Sequence, residues 1–247
     1  VACRFPSPSQ DNKKVLSMLT RSASARTRVS RSNDNVSSTT RRKRHFNTTS
    51  MLGVAFHGKG GSGKGFESNI KELTSEIDTI TSWRYPDGTS VLDEGCYAWW
   101  EPSEMRSFES DVWVGADKAI DVACEAADGA SVLFGFSQGA MLIGCLLAEK
   151  RMPESVKACV LVGGAWCRPY SNGLGELVQW RLGPKRKTYQ SPKLLHIISA
   201  QDRVNPPSSA MMLQAAVGGD IVYHAGGHVV PLDKKDAIAA WIRQNAE

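Results

Sequence analysis

Apolar positions along this chain fall into short continuous runs separated by stretches with a helical period. Met51–His57 reads as a buried strand, and Phe66–Ile77, with apolar residues three and four apart, as an amphipathic helix. Ile80–Tyr85 predicts a second strand and Met105–Ala127 a helix. Residues 130–135 predict a third strand; the segment after it, Ala140–Ala148, is apolar nearly all round, as in a helix packed deep against a sheet, and runs to about Lys150. Val156–Leu161, Lys193–Ala200 and Ile221–His224 predict further strands, with a helix at Ser208–Ala216 and a closing helix at Asp233–Asn245. Strands alternating with helices of this length predict an α/β fold, a mostly parallel, doubly wound sheet covered on both faces. Sites on such sheets lie beyond the carboxyl ends of the strands.

One such end is Gly135-Phe136-Ser137-Gln138-Gly139, a G-x-S-x-G pattern. It matches a nucleophile elbow, a strand-to-helix turn so tight that glycines flank the serine and lift its hydroxyl clear of the sheet. The pentapeptide alone is a weak witness in a chain with 22 glycines. The strand before it and the buried helix after it supply the setting it requires. A serine hydroxyl is a poor nucleophile without a base and an oxyanion hole. A triad on this kind of sheet runs in the order Ser, Asp/Glu, His. Asp202 follows the strand that ends at Ala200, and His228 follows the strand that ends at His224, across Gly226-Gly227. His228 is the candidate general base and Asp202 its orienting acid. The alternative for Asp202 is an Asx turn ahead of Pro206-Pro207. His196 and His224 lie within strands and read as core residues. Candidate oxyanion donors are the backbone amides of Gln138 and, in the loop after the first strand, Lys59.

Gly58–Gly65 nearly spells a phosphate-binding loop between strand and helix. The pattern G-x-x-x-x-G-K-[ST] fits at Gly58, Gly63 and Lys64, but position 65 is glycine, so the hydroxyl that would hold Mg²⁺ is missing. Nucleotide binding is therefore the outsider reading.

Composition changes the picture in two places. The formal charge of +5 is uneven: residues 1–50 hold 11 of the 30 Lys/Arg and 2 of the 25 acidic residues, a net of +9, which leaves −4 for the rest. A nucleic-acid partner therefore cannot be argued from the global charge, and none is expected. Residues 1–50 are Ser/Arg-rich, without apolar period, and read as a disordered tail preceding a domain at 51–247. They fit either a transit peptide, which places the protein in a mitochondrion or plastid, or an over-extended start ahead of Met51, which leaves it cytoplasmic. The six cysteines form no C-x-x-C pair and no metal spacing, which suits a reducing compartment; no metal or cofactor is expected. No apolar run approaches the ~20 residues of a membrane span.

Together, His57-Gly58, the elbow, Asp202 and Gly226-Gly227-His228-Val229-Val230-Pro231 resemble the FSH family of small eukaryotic serine hydrolases. Ala98-Trp99-Trp100, Gly163-Gly164-Ala165-Trp166 and Lys234-Lys235 are similar to it as well, over about residues 52–242. The resemblance implies an α/β-hydrolase without a large cap domain, acting on carboxylic esters or thioesters through Ser137, Asp202 and His228. Acyl-protein or acyl-carrier thioesters are the alternative substrates. Two departures, the Lys-rich loop after His57-Gly58 and Asn205 where the family usually has an apolar residue, bear on substrate preference. Candidate substrate-lining residues are His57, Gly58, Trp99, Trp100 and Trp166, with Met211 and Met212 further along an acyl groove. Residues 168–190, with Trp180 among Arg181, Lys185, Arg186 and Lys187, read as a long loop where relatives carry lids. The expected partner is a small-molecule ester or acyl substrate; the oligomeric state stays open.

Overall fold

The computed structural model describes residues 51–183 and 191–247; the basic tail 1–50 and part of the expected 168–190 loop lie outside the described residues. Its centre is a six-stranded sheet of β1 (Met51–Phe56), β2 (Ile80–Arg84), β7 (Val132–Phe136), β8 (Ala158–Val162), β9 (Lys193–Ser199) and β10 (Asp220–His224). The spatial order is β10-β9-β8-β7-β1-β2, and every pair is parallel. All carboxyl ends therefore open at one edge. The chain moves outward from β1 to β2, then returns to the other side of β1 and builds β7 to β10. The order reverses between β1 and β7, which makes the loops after these two strands neighbours at the crevice where doubly wound sheets bind ligands.

Period-2 alternation assigns the strand side chains to two cores. Val132, Phe134, Val160 and Ile197 face one side, against Phe66, Ile70 and Leu73 of α1 (Gly63–Thr74) and Ile238, Ala239 and Ile242 of α6 (Lys235–Asn245). Leu133, Cys159, Leu161 and Leu194 face the other. There they meet α2 (Ala116–Ala127), α3 (Gln138–Ala148), α4 (Ser171–Leu182) and α5 (Pro207–Val217). All eleven residues of α3 are buried, as its all-round apolar sequence requires. No helix among the described residues is long and apolar enough to cross a membrane.

Two expectations need correction. The helix expected over Met105–Ala127 begins at Ala116, because Gly115 takes φ +85° and sets the turn that starts it. The residues ahead of it belong to an excursion of short antiparallel ribbons, β3 (Ser90–Asp93) with β4 (Cys96–Ala98) and β5 (Glu101–Pro102) with β6 (Trp113–Val114). The excursion is stitched to the β1 loop by hydrogen bonds from Gly60 N to Tyr97 O (2.8 Å) and from Tyr97 N to Gly61 O (2.8 Å). The second correction is α4, which occupies the front of the expected 168–190 loop and buries Leu174, Leu177 and Val178.

Candidate active site

The candidate nucleophile elbow, Gly135–Gly139, sits at the end of β7. Ser137 has φ 55° and ψ −116°, a conformation that side chains other than glycine rarely adopt. Its flanking glycines are required on both sides. A Cβ on Gly135 would stand 2.4 Å from Gly139 O, and one on Gly139 would stand 2.1 Å from Phe56 O. Ser137 is held from outside the turn as well, since its N–H donates to Val162 O at the end of β8 (2.9 Å).

The loops after β9 and β10 bring the other two candidates to it. His228 Nε2 lies 2.9 Å from Ser137 Oγ, and His228 Nδ1 lies 2.7 Å from Asp202 Oδ2. Asp202 is buried and splits its two oxygens between two tasks. Oδ2 meets the imidazole, while Oδ1 accepts the N–H groups of Val204 and Asn205, both at 2.8 Å. Asp202 thus makes both the Asx turn and the contact to His228, one per oxygen. The hydroxyl of buried Ser199 accepts from Gln201 N (3.2 Å) and Gly227 N (3.0 Å), tying the acid loop to the histidine loop. Gly227 takes φ +76°, which turns the chain so that His228 faces the elbow. Phe136 packs against the imidazole at 4.9 Å between ring centroids.

The other described histidines do different work. His196 is buried and bonded to Gly218 O (2.9 Å), and burial pushes its pKa down to about 4. Burial also lowers the pKa of His224, which accepts from Gly226 N at 3.2 Å. His57 is lowered by burial too; its Nε2 accepts the Gly88 N–H at 2.9 Å, which leaves the proton on Nδ1 to donate to Gly58 O (2.7 Å). All three are core histidines in the neutral form, and His57 orients the backbone of the loop that carries Gly58 and Lys59.

The expected substrate contacts separate. Gly58 stands beside Ser137, since a Cβ there would lie 3.1 Å from Ser137 Cβ. Trp99 and Trp100, by contrast, are fully buried and offer no surface to a substrate. Trp99 Nε1 donates to His57 O (2.9 Å), and Trp100 stacks on Trp113 at 4.3 Å and 1°. Through these contacts they support His57 and the first residue of α3 from within the core. Trp166 is 7 % exposed, with its indole bonded to Ser171 Oγ. Met211 is partly exposed on α5 beside Tyr223, whose hydroxyl reaches its sulfur at 3.6 Å, and Met212 packs against the core.

The side chain of Gln138 is a contributor that local sequence did not flag. Its Oε1 accepts from Trp99 N (3.1 Å), and its Nε2 donates to Trp100 O (3.1 Å) and Ser107 Oγ (3.3 Å). It bolts the first residue of α3 to the excursion. Gln138 is the first residue of a helix, whose leading N–H groups have no intrahelical acceptor. Lys59 N–H has no protein acceptor among the described residues, whereas its neighbours Gly60 and Gly61 bond to Tyr97 O and Gly58 O.

The phosphate-loop reading fails on the same loop. The Gly63 N–H that a phosphate would need donates to Asp87 Oδ1 at 2.7 Å, and Ser62 caps α1 by accepting from Gly65 N. A carboxylate already occupies this helix N-terminus.

Among solved structures the fold is similar to that of Arabidopsis thaliana SOBER1 (18 % identity, TM-score 0.56, covering 79 % of this chain and 99 % of that one). It is also similar to a Bacillus cereus carboxylesterase (17 %, TM-score 0.54, 81 % and 91 %) and a Mesorhizobium loti carboxylesterase (18 %, TM-score 0.54, 78 % and 88 %). At these identities the likeness establishes the α/β-hydrolase-type fold. No curated protein matches the chain. The family model for the FSH1 serine hydrolases matches residues 50–240, and the chain belongs to that family.

Proposed function

We propose that this serine hydrolase cleaves carboxylic esters or thioesters of small acyl substrates through an acyl-enzyme on Ser137. The observation that carries the reading is the unbroken chain Ser137 Oγ–His228 Nε2–Asp202, with contacts of 2.9 and 2.7 Å. His228 takes the Ser137 proton as Oγ attacks the ester carbonyl, and Asp202 stabilises the imidazolium and holds the ring in place. The negative charge that develops on the carbonyl oxygen is met by the Gln138 and Lys59 amides, with the N-terminus of α3 adding its dipole. Collapse breaks the acyl bond, and the leaving alcohol or thiol departs with the proton from His228. Water then attacks the acyl-enzyme, with His228 as base again, and releases the acid and free Ser137. A thioester follows the same steps with a better leaving group.

A fluorophosphonate probe tests the nucleophile: wild type is labelled and Ser137→Ala is not. An unlabelled wild type that hydrolyses no p-nitrophenyl ester overturns the reading. A series of p-nitrophenyl esters and acyl-CoA thioesters of rising chain length then defines the acyl group and separates ester from thioester preference.

A further inference from the structure

The end of β8 touches every member of the Ser–His–Asp chain. Val162 O holds the N–H of Ser137 (2.9 Å). Gly163, at φ +56°, presents its Cα face to the imidazole, and a Cβ there would lie 3.2 Å from both Cε1 and Nδ1 of His228 and 3.5 Å from Asp202 Oδ2. The Gly163 N–H is fixed to Ile197 O of β9 at 3.0 Å. Its carbonyl accepts from a side chain, the Asn205 carboxamide Nδ2, at 2.6 Å. Asn205 is 6 % exposed, and its own backbone N–H is one of the two donors to Asp202 Oδ1. Four residues further on, Ser209 Oγ accepts from Trp166 N (2.9 Å), a second stitch between the same two segments.

We propose that Asn205 is a positioning residue of the active site, clamping the acid loop to Gly163 so that Asp202 Oδ2 and the ring of His228 are held in register with Ser137. This inference rests on the Ser137–His228–Asp202 reading. An apolar residue at 205 keeps the backbone N–H to Asp202 but has no donor for the Gly163 carbonyl. That carbonyl is then left without its partner, and the loop between Asp202 and Pro206 is anchored at one end only. The acid is the group that orients the imidazole, so its drift reaches Ser137 through His228 alone. Asn205 lies behind Asp202 and acts on turnover rather than on substrate binding. Small displacements of a catalytic group are costly in rate, of the order of 10²-fold for about 1 Å.

The test is a double-mutant cycle with Asn205→Leu and Asp202→Asn, read by p-nitrophenyl ester kinetics and by thermal melting of the full-length protein. Asn205→Leu is expected to lower kcat by about 10- to 100-fold with KM within about twofold of wild type. In the Asp202→Asn background the same change is expected to cost less than about threefold, because the group it positions is already disabled. A kcat within twofold of wild type for Asn205→Leu overturns the proposal, as does an equal fold-loss in both backgrounds. If the leucine variant does not fold, Asn205→Ala is judged by the same two criteria. If Asp202→Asn itself leaves kcat unchanged, the acid assignment falls and this inference with it. A harmless Asn205→Leu beside a crippled Asp202→Asn sinks only the clamp.

Discussion

Replacing Gln138 by alanine removes a side chain while leaving in place the backbone amide proposed for the oxyanion hole. The buried carboxamide is the partner of Trp99 N and Trp100 O, both on residues with no exposed surface. Truncation orphans one buried donor and one buried acceptor, each costing about 1–3 kcal/mol, so about 2–6 kcal/mol in all. For a domain of this size, 1 kcal/mol corresponds to about 2–4 °C in Tm, and the expected drop is about 4–24 °C. Activity should fall too. Trp99 bonds through its indole to His57 O, and His57 orients the Gly58 carbonyl beside Lys59, so Gln138 connects the two amides proposed to bind the oxyanion. Differential scanning calorimetry and ester kinetics below the new Tm measure both effects. Gln138→Glu is the sharper control: it keeps an acceptor for Trp99, but only its protonated form can donate to Trp100 O. Its deficit relative to wild type should shrink as pH falls. A Gln138→Ala protein that melts within about 2 °C of wild type refutes the hydrogen-bond reasoning.

His228→Ala and Asp202→Asn should each lower kcat by about 10⁴-fold with unchanged far-ultraviolet circular dichroism; loss of the fold in both would return them to structural roles. Gly139→Ala sets a methyl group 2.1 Å from Phe56 O, forcing apart β1 and the elbow, and should yield no soluble active protein, as an expression and gel-filtration assay would show. The pKa of His196 falls by burial from 6.5 to about 4, so below pH 6.5 the unfolded chain takes up a proton that the native state refuses. The stability from this residue is full above pH 6.5 and is lost as pH falls towards 4, by about 3 kcal/mol. His196→Gln, which keeps a donor for Gly218 O, should flatten that part of the pH dependence in urea unfolding between pH 7.5 and 4.5.

What the sequence disclosed was local. The elbow is five consecutive residues with a strand and a helix to either side, and Asp202 and His228 each follow the end of a strand, so order and spacing located all three. The excursion over residues 90–114 was invisible because its strands are two to four residues long, too short to show a period. Phe108 and Trp113, which fit a helical period in the sequence, instead pack against the core around Trp100. α4 was hidden by Gly173 and Gly175, poor helix formers. Tertiary packing overrides them: a Cβ on Gly173 would lie 2.4 Å from Ala148 O, so the glycine is what lets α4 sit against the end of α3. The supporting roles of His57, Gln138 and Asn205 depend on partners 31 to 42 positions away, which no window along the chain reveals.

The backbone of Ser137 sets the fold and its chemistry against each other. A residue other than glycine at φ 55° and ψ −116° costs of the order of 1–3 kcal/mol. Ser137→Gly would relieve that strain, so the dead enzyme should be the more robust protein. The fold thus carries a conformational cost for the placement of one hydroxyl.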